Sequence, residues 1–522
     1  MFAKLEIPPT SHSRHRRADA LRSVLPPRAI LRASMVLLMC GWAVAEVHTT
    51  SPWAHSAETK ESPSAAVPGR SNRLDVRNST LDRVAQRKVT PGTSQAGNQT
   101  LRSATTTAVT VDAARLRDAG IRVLKGTHLI LLTDVPVSAA VRELPRVFDA
   151  ACPLWADYFK IDRQRYDHWR VTGCLMQDRS RFQHVGLLDQ DGPKFLHGYA
   201  ENGMLWWNEQ PTAYYRRHLM LHEGVHSFMQ SMLGGSGAVW YREGMAELLA
   251  THRWDGKKLE VGRFPESRRE VPMLGRIKLV QDAAGEGRAL SVKQVMSIVP
   301  RDFEKNEAYA WCWALTAFLD GHPAYRQRFR GLSANVRKPD FTARLVAAYR
   351  DDWRELNDEW RFYAANLEHG YDFNRTVIRF THAPPLPRDG KQVTIRADRG
   401  WQNTGTMLIA GVTYEISASG RYQVARQPRV WWSEPGGVSI RYYHGRPLGM
   451  LLATVYDDRH DDAADRSDTP FDPVPVGLRT EITPKHTGTL MLRINDSAGE
   501  LDDNAGTLRI TIRPAKPRRA SE

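Results

Sequence analysis

Leu219-Met-Leu-His222-Glu223-Gly-Val-His226, followed after a glycine-rich turn by Trp240-Tyr-Arg-Glu243-Gly-Met-Ala-Glu247, is the stretch on which the reading of this chain turns. On an α-helix, residues four apart lie one above the other. The imidazoles of His222 and His226 therefore share a face and can reach one metal ion. Glu223 points to a neighbouring sector, where it holds a water on the metal rather than the metal itself. The flanking Leu219, Met220, Leu221, Val225, Phe228 and Met229 are apolar and predict a buried helix. Two unpartnered histidines on such a helix would be costly, and a shared metal ion removes that cost.

Working outward, His128–Asp134 and Trp169–Met176 read as buried strands, with helical apolar spacing over Val137–Phe159 between them. Tyr199–Trp207 reads as an extended stretch turning at Asn202-Gly203. From Tyr214 to about Leu367 the pattern is mostly helical. His382-Ala-Pro-Pro-Leu-Pro387 has the composition of a linker. Beyond it come short strands punctuated by Gly, Pro and Asn, at 392–396, 412–418, 438–443, 450–456, 488–494 and 506–512. They predict an all-β sandwich. The expected fold class is multidomain: an α+β catalytic domain, mostly helical after a small sheet, over 109–380, then the sandwich over 391–514.

The two quoted segments in that order resemble the gluzincin metallopeptidases, which include thermolysin-like enzymes and the zinc aminopeptidases. The resemblance implies a zincin-like fold with zinc held by His222, His226 and, from the Trp-x-x-Glu-Gly-x-Ala segment, Glu243. It makes Glu223 the general base. Sixteen residues intervene between His226 and Glu243, slightly fewer than in the aminopeptidases. Glu247, one turn after Glu243, is the expected carboxylate behind a ligand histidine. Tyr309, 66 residues after Glu243, opens an apolar helix as the oxyanion-stabilising tyrosine of zinc aminopeptidases does. Gly198-Tyr-Ala-Glu201-Asn202 is similar to the segment with which those enzymes grip a free amine. That makes Glu201 a candidate substrate residue, although an edge strand pairing with an extended substrate is the alternative.

The C-terminal residues resemble the calcium-dependent galactophilic bacterial lectins of the PA-IL-like fold. The segments that carry this are Trp401–Gly405, Tyr414–Gly420, Gly449–Ala453 and Ile494-Asn-Asp496-Ser-Ala-Gly-Glu500-Leu-Asp-Asp503-Asn504-Ala-Gly506. The resemblance implies calcium bound by Asp496, Asp503 and Asn504 side chains and by Glu500 through its backbone. The sugar-contacting His-Pro-x-Gln of those lectins falls at Glu434-Pro435-Gly436-Gly437, so its His and Gln are replaced.

Ser34–Ala45 is a short apolar run behind a basic stretch and ending in Ala-Val-Ala. Residues 1–45 therefore read as a secretory signal, with an uncleaved anchor as the competing reading. Residues 46–108, rich in Ser, Thr, Ala, Arg and Asn, read as a disordered linker or pro-segment. Export leaves Cys152, Cys174 and Cys312, of which Cys152 and Cys174 are the expected disulfide pair. The net charge of +15 is scattered, with no aromatic-interleaved basic patch, which excludes a nucleic-acid partner. The expectation is a secreted or cell-envelope zinc peptidase. It acts on peptide or protein and carries a β module for a glycan, with no stable membrane span after signal cleavage. The alternatives are an aminopeptidase rather than an endopeptidase, or a surface glycan-binding protein with a degenerate peptidase domain.

Overall fold

The computed structural model describes residues 112–190, 195, 197–457 and 471–515. The signal and linker readings lie outside the described residues. The first sheet has five strands in the order β1-β2-β3-β5-β4: β1 (Arg122–Lys125), β2 (Leu129–Thr133), β3 (Val171–Met176), β4 (Gly198–Glu201) and β5 (Met204–Asn208). β2, β3 and β5 are parallel, and β4 folds back on β5 through Asn202 and Gly203, both at positive φ. β4 is thus an edge strand.

The predicted helix over Val137–Phe159 is broken in two, a turn at Ala139–Arg142 and α1 (Leu144–Phe159). Pro145 sits in the first turn of α1, where its missing N–H costs nothing. The helical layer continues with α2 (Ala213–Leu233), α3 (Val239–Ala250), α4 (Arg276–Gly285), α5 (Asn306–Gly321) and α6 (Trp353–Ala365). Thr212 caps α2 by accepting from the Tyr215 amide, and Gly234, in the left-handed region, ends it. A short hairpin of β6 (His252–Trp254) and β7 (Leu259–Val261) interrupts the helices. α3 lies so close to α5 that a Cβ on Gly244 would stand 2.6 Å from the Cys312 carbonyl oxygen.

Cys152 and Cys174 are both free, correcting the expected disulfide. Successive strand residues face opposite sides of a sheet. Leu175 joins the core shared with α1 and Cys152, while Cys174 packs on the far face with Phe182 and Leu188.

The C-terminal region is β-rich, with β8 (Lys391–Arg396), β9 (Gln402–Leu408), β10 (Tyr414–Ser419), β11 (Tyr422–Ala425), β12 (Trp431–Ser433), β13 (Val438–Tyr443), β14 (Arg446–Leu448), β15 (Leu451–Tyr456), β16 (Val474–Pro475), β17 (Arg479–Ile482), β18 (Gly488–Ile494) and β19 (Thr507–Pro514). Two four-stranded sheets, β17-β10-β19-β8 and β16-β15-β18-β9, enclose a core that includes Ile395, Ile416, Leu492 and Ile510. β11 pairs with β12 and β13 with β14 as hairpins.

β18 is buried along its whole length. Leu490, Leu492 and Ile494 face the sandwich core, while Met491 packs with Phe362 of α6, Ile378 and Trp401. Nearby, Glu368 accepts from Ser497 Oγ at 2.7 Å and Tyr443 OH at 3.2 Å, and the Asp372 amide donates to Ala498 O at 3.1 Å. His382–Pro387 is not a free linker. The Leu386 amide donates to Met407 O, and the Met407 amide to Pro384 O, so this segment lies along β9. Prolines are tolerated there because an edge position does not need every N–H.

Among the described residues no helix is long and apolar enough to cross a membrane.

Candidate metal centre

α2 carries His222 and His226 on one face, and α3 brings Glu243 against them. The Nε2 atoms of the two histidines are 3.1 Å apart, and Glu243 Oε2 lies 3.5 Å from His222 Nε2 and 3.3 Å from His226 Nε2. Ligands of a tetrahedral ion with bonds of about 2.0–2.1 Å are separated by roughly 3.3 Å. The donor set therefore fits a small divalent cation. It also explains why His222 and Glu243 are buried together, with His226 partly buried beside them.

Behind these donors stands a second ring of charge. Glu247, buried, accepts from Arg276 Nε at 2.9 Å and from an Arg276 Nη at 2.8 Å. Its other neighbours are His222 Nδ1 at 3.4 Å and His218 Nε2 at 3.3 Å. Burial pushes Glu247 up, but Arg276 and His218 outweigh it and hold the carboxyl well below the usual range. Burial likewise pushes Glu243 up, and His226 and His222 hold it well below. His222 is opposed by burial yet carried up to about 10 by Glu243 and Glu247. Glu243 and Glu247 thus favour positive charge at this centre.

The centre opens into a cleft of about 1340 Å³. Glu223 lines it and is buried. A Cβ on Gly198 would stand 2.4 Å from Glu223 Oε1, so only glycine lets β4 run this close to the carboxyl. Burial first, then Glu243 and Glu247, raises the Glu223 pKa to about 8, against a lowering by His222. Tyr309, from the first turns of α5, lines the same cleft with its ring 6.0 Å from that of His222. Phe303 at 4.7 Å and the Arg276 guanidinium at 5.5 Å hold the ring in place. Burial, then Glu243, pushes its hydroxyl well above the usual phenol range. Glu201 lies exposed on the cleft wall at the end of β4.

The cleft and its surroundings hold further functional candidates that sequence reasoning missed. His218 was within reach, since it precedes His222 by four residues on α2. Arg276 and the cleft residues Arg242 and His197 carried no local signal. Arg242 donates through Nε to Glu243 Oε1 at 2.8 Å, occupying the oxygen turned away from the histidines.

In the β region, Asp496 and Asn504 are buried and Asn504 Nδ2 donates to Asp496 Oδ2 at 2.8 Å. The Ser497 amide donates to Asp496 Oδ1 at 2.8 Å, and the Arg426 amide to Asp503 Oδ2 at 3.1 Å. Asp503 Oδ1 and Asn504 Oδ1 are buried with no hydrogen-bond partner among the described residues. Burial raises the Asp496 pKa to about 7. The Glu500 side chain is half exposed and pairs with Arg441 at 3.0 Å. The structure thus brings Asp496 and Asn504 together, with orphaned oxygens on Asp503 and Asn504, and turns the Glu500 carboxylate outward. Among the described residues this loop forms no group of three His, Cys or carboxylate donors; the groups that do are His222/His226/Glu243 and His218/His222/Glu247.

No protein-family model matches the chain, and no curated protein matches it. Among solved structures, the EclA N-terminal domain, a PllA-like lectin, is 23% identical and aligns with 24% of this chain and 95% of its own, at a TM-score of 0.18. The IMPa metallopeptidase from Pseudomonas aeruginosa is 11% identical over 74% of this chain, at a TM-score of 0.16. IMPa in complex with an O-glycopeptide gives 11% identity over 75% of this chain, also at 0.16. The match spans only 37% of the first IMPa chain and 39% of the second. These are weak structural neighbours, and their scores fall below the level at which a common fold follows.

Proposed function

We propose that this chain is an exported, zinc-dependent peptidase of the gluzincin type. The observation that carries the reading is the convergence of His222, His226 and Glu243 at 3.1–3.5 Å beside a buried Glu223 that stands outside that donor group in an open cleft. Two imidazoles and one carboxylate are the donor set of a catalytic rather than a structural zinc site. When bound, zinc supplies Lewis acidity and lowers the pKa of water to about 7.

The chain's own residues do the rest. Glu223, buried beside the donor set and lining the cleft, takes a proton from the attacking water and returns it to the leaving nitrogen. The Tyr309 hydroxyl, protonated throughout the working range, donates to the developing oxyanion. Arg276 holds Glu247, and Glu247 fixes the orientation of the His222 ring. Strand β4, at the edge of its sheet and along the cleft, pairs with an extended peptide. Glu201 at the end of that strand supports the aminopeptidase alternative, in which it receives the substrate's amine.

For the β region, hard oxygens left unpaired on Asp503 and Asn504 beside Asp496 support a calcium site. In this reading calcium shapes a surface for a glycan, and the division into domains at 109–380 and 391–514 separates catalysis from tethering.

The test is to measure zinc in the full-length chain and compare it with Glu223→Gln on a mixed peptide library. About one equivalent of zinc, with cleavage by the wild type alone, is the expected result. Cleavage positions then separate endopeptidase from aminopeptidase. Bound zinc without cleavage would leave the binding-protein alternative. Binding to a glycan array with and without calcium tests the β region.

A further inference from the structure

His197 immediately precedes Gly198, where a Cβ would clash with the Glu223 carboxyl. It extends the β4–β5 hairpin by one step, its carbonyl accepting from the Asn208 amide at 3.0 Å. Its ring lines the cleft and stands edge-on to Tyr215 of α2 at 6.3 Å. His197 Nε2 is buried and has no hydrogen-bond partner among the described residues. The ring belongs to neither metal-holding group. A buried polar nitrogen without a partner costs free energy that a bound ligand can recover.

We infer that His197 is a substrate-contacting residue whose Nε2–H donates to a backbone carbonyl oxygen of the peptide lying along β4. The inference rests on the peptidase reading. A peptide paired with β4 carries its carbonyls past the start of that strand, beside Glu223, where His197 stands. Burial, then the nearby Arg276, lowers the His197 pKa, so the ring is neutral at pH 7 and has one N–H to give. A neutral donor suits a carbonyl oxygen better than a carboxylate.

His197→Ala and His197→Gln in the full-length, zinc-loaded chain test the assignment. One lost hydrogen bond of this kind corresponds to about a tenfold effect. The expected result is a fall of about tenfold in kcat/KM for His197→Ala, with zinc content and melting temperature unchanged. His197→Gln, which keeps an N–H donor, should recover most of it. In the Glu223→Gln background, which retains uncleaved peptide, His197→Ala should weaken peptide binding by about the same factor. A kcat/KM within twofold of wild type, with unchanged peptide affinity, overturns the inference. So does an equal loss in both variants accompanied by loss of zinc, which marks a structural role. Failure of the wild type to cleave overturns the peptidase reading instead, and the affinity pair then decides the His197 contact by itself.

Discussion

At the helical centre, donors come from two helices whose spacing is set by packing, and the oxygens and nitrogens converge to 3.1–3.5 Å with Arg276 and Glu247 already in place behind them. In the β region, Asp496 lies two residues past the end of β18, Asp503 and Asn504 lie seven and eight residues further on, and Asp503 Oδ1 and Asn504 Oδ1 have no hydrogen-bond partner among the described residues. The difference lies in who supplies the order. Helix packing brings the histidine donors together, whereas the acidic loop leaves two buried oxygens without a hydrogen-bond partner among the described residues. Imidazole suits zinc, and clustered hard oxygens suit calcium.

The contrast can be broken most sharply at Glu223. Glu223→Gln should retain zinc and lose about a thousandfold in kcat, a general base contributing roughly 10²–10⁴; retained turnover would remove the base from the mechanism. Tyr309→Phe should cost about a hundredfold in kcat with little change in KM. An effect on KM alone would make the residue a binding contact. Glu247→Gln should weaken zinc by roughly 10–100-fold in a chelator competition, since it loosens the His222 ring without removing a ligand.

The smallest effect is expected at the acidic loop. Asp496 has a folded pKa raised to about 7, above its unfolded value. Its contribution without calcium is therefore present below the unfolded carboxylate pKa and is lost as pH rises through about 7. If the loop binds calcium as proposed, the ion competes with that proton. Thermal melts should show a gain of a few degrees from millimolar calcium at pH 8 and a smaller gain at pH 5.5. The gain should be abolished by Asp496→Asn. A calcium effect of equal size at both pH values would separate the ion from Asp496.

Much of the helical centre is legible because a helix converts spacing into direction. His222 and His226 declare a shared face from sequence, and His218 extends it. Glu243 becomes legible only through its resemblance to a known segment, since nothing local fixes how α3 docks on α2. Arg276 and His197 reach the site from a separate helix and from the residue just before β4, and tertiary packing alone puts them there. In the β region, the strand pattern locates β8, β10, β13, β15, β18 and β19 but passes over β9, β11, β12, β14, β16 and β17. Those strands are short, or like β9 carry Gln, Asn, Thr and Gly where alternating apolar residues would announce them. Cys174 was misread because its strand phase, invisible without the sheet, turns it away from Cys152.

β18 has no solvent face, and Glu368 grips the loop that follows it. These two folds are therefore not beads on a string. A gene fragment ending near residue 380 would turn Phe362 and Ile378 to water and orphan Glu368, while one beginning near 391 would bare Met491 and Trp401. Recombination that moved either half to another protein would have to carry the matching surface with it.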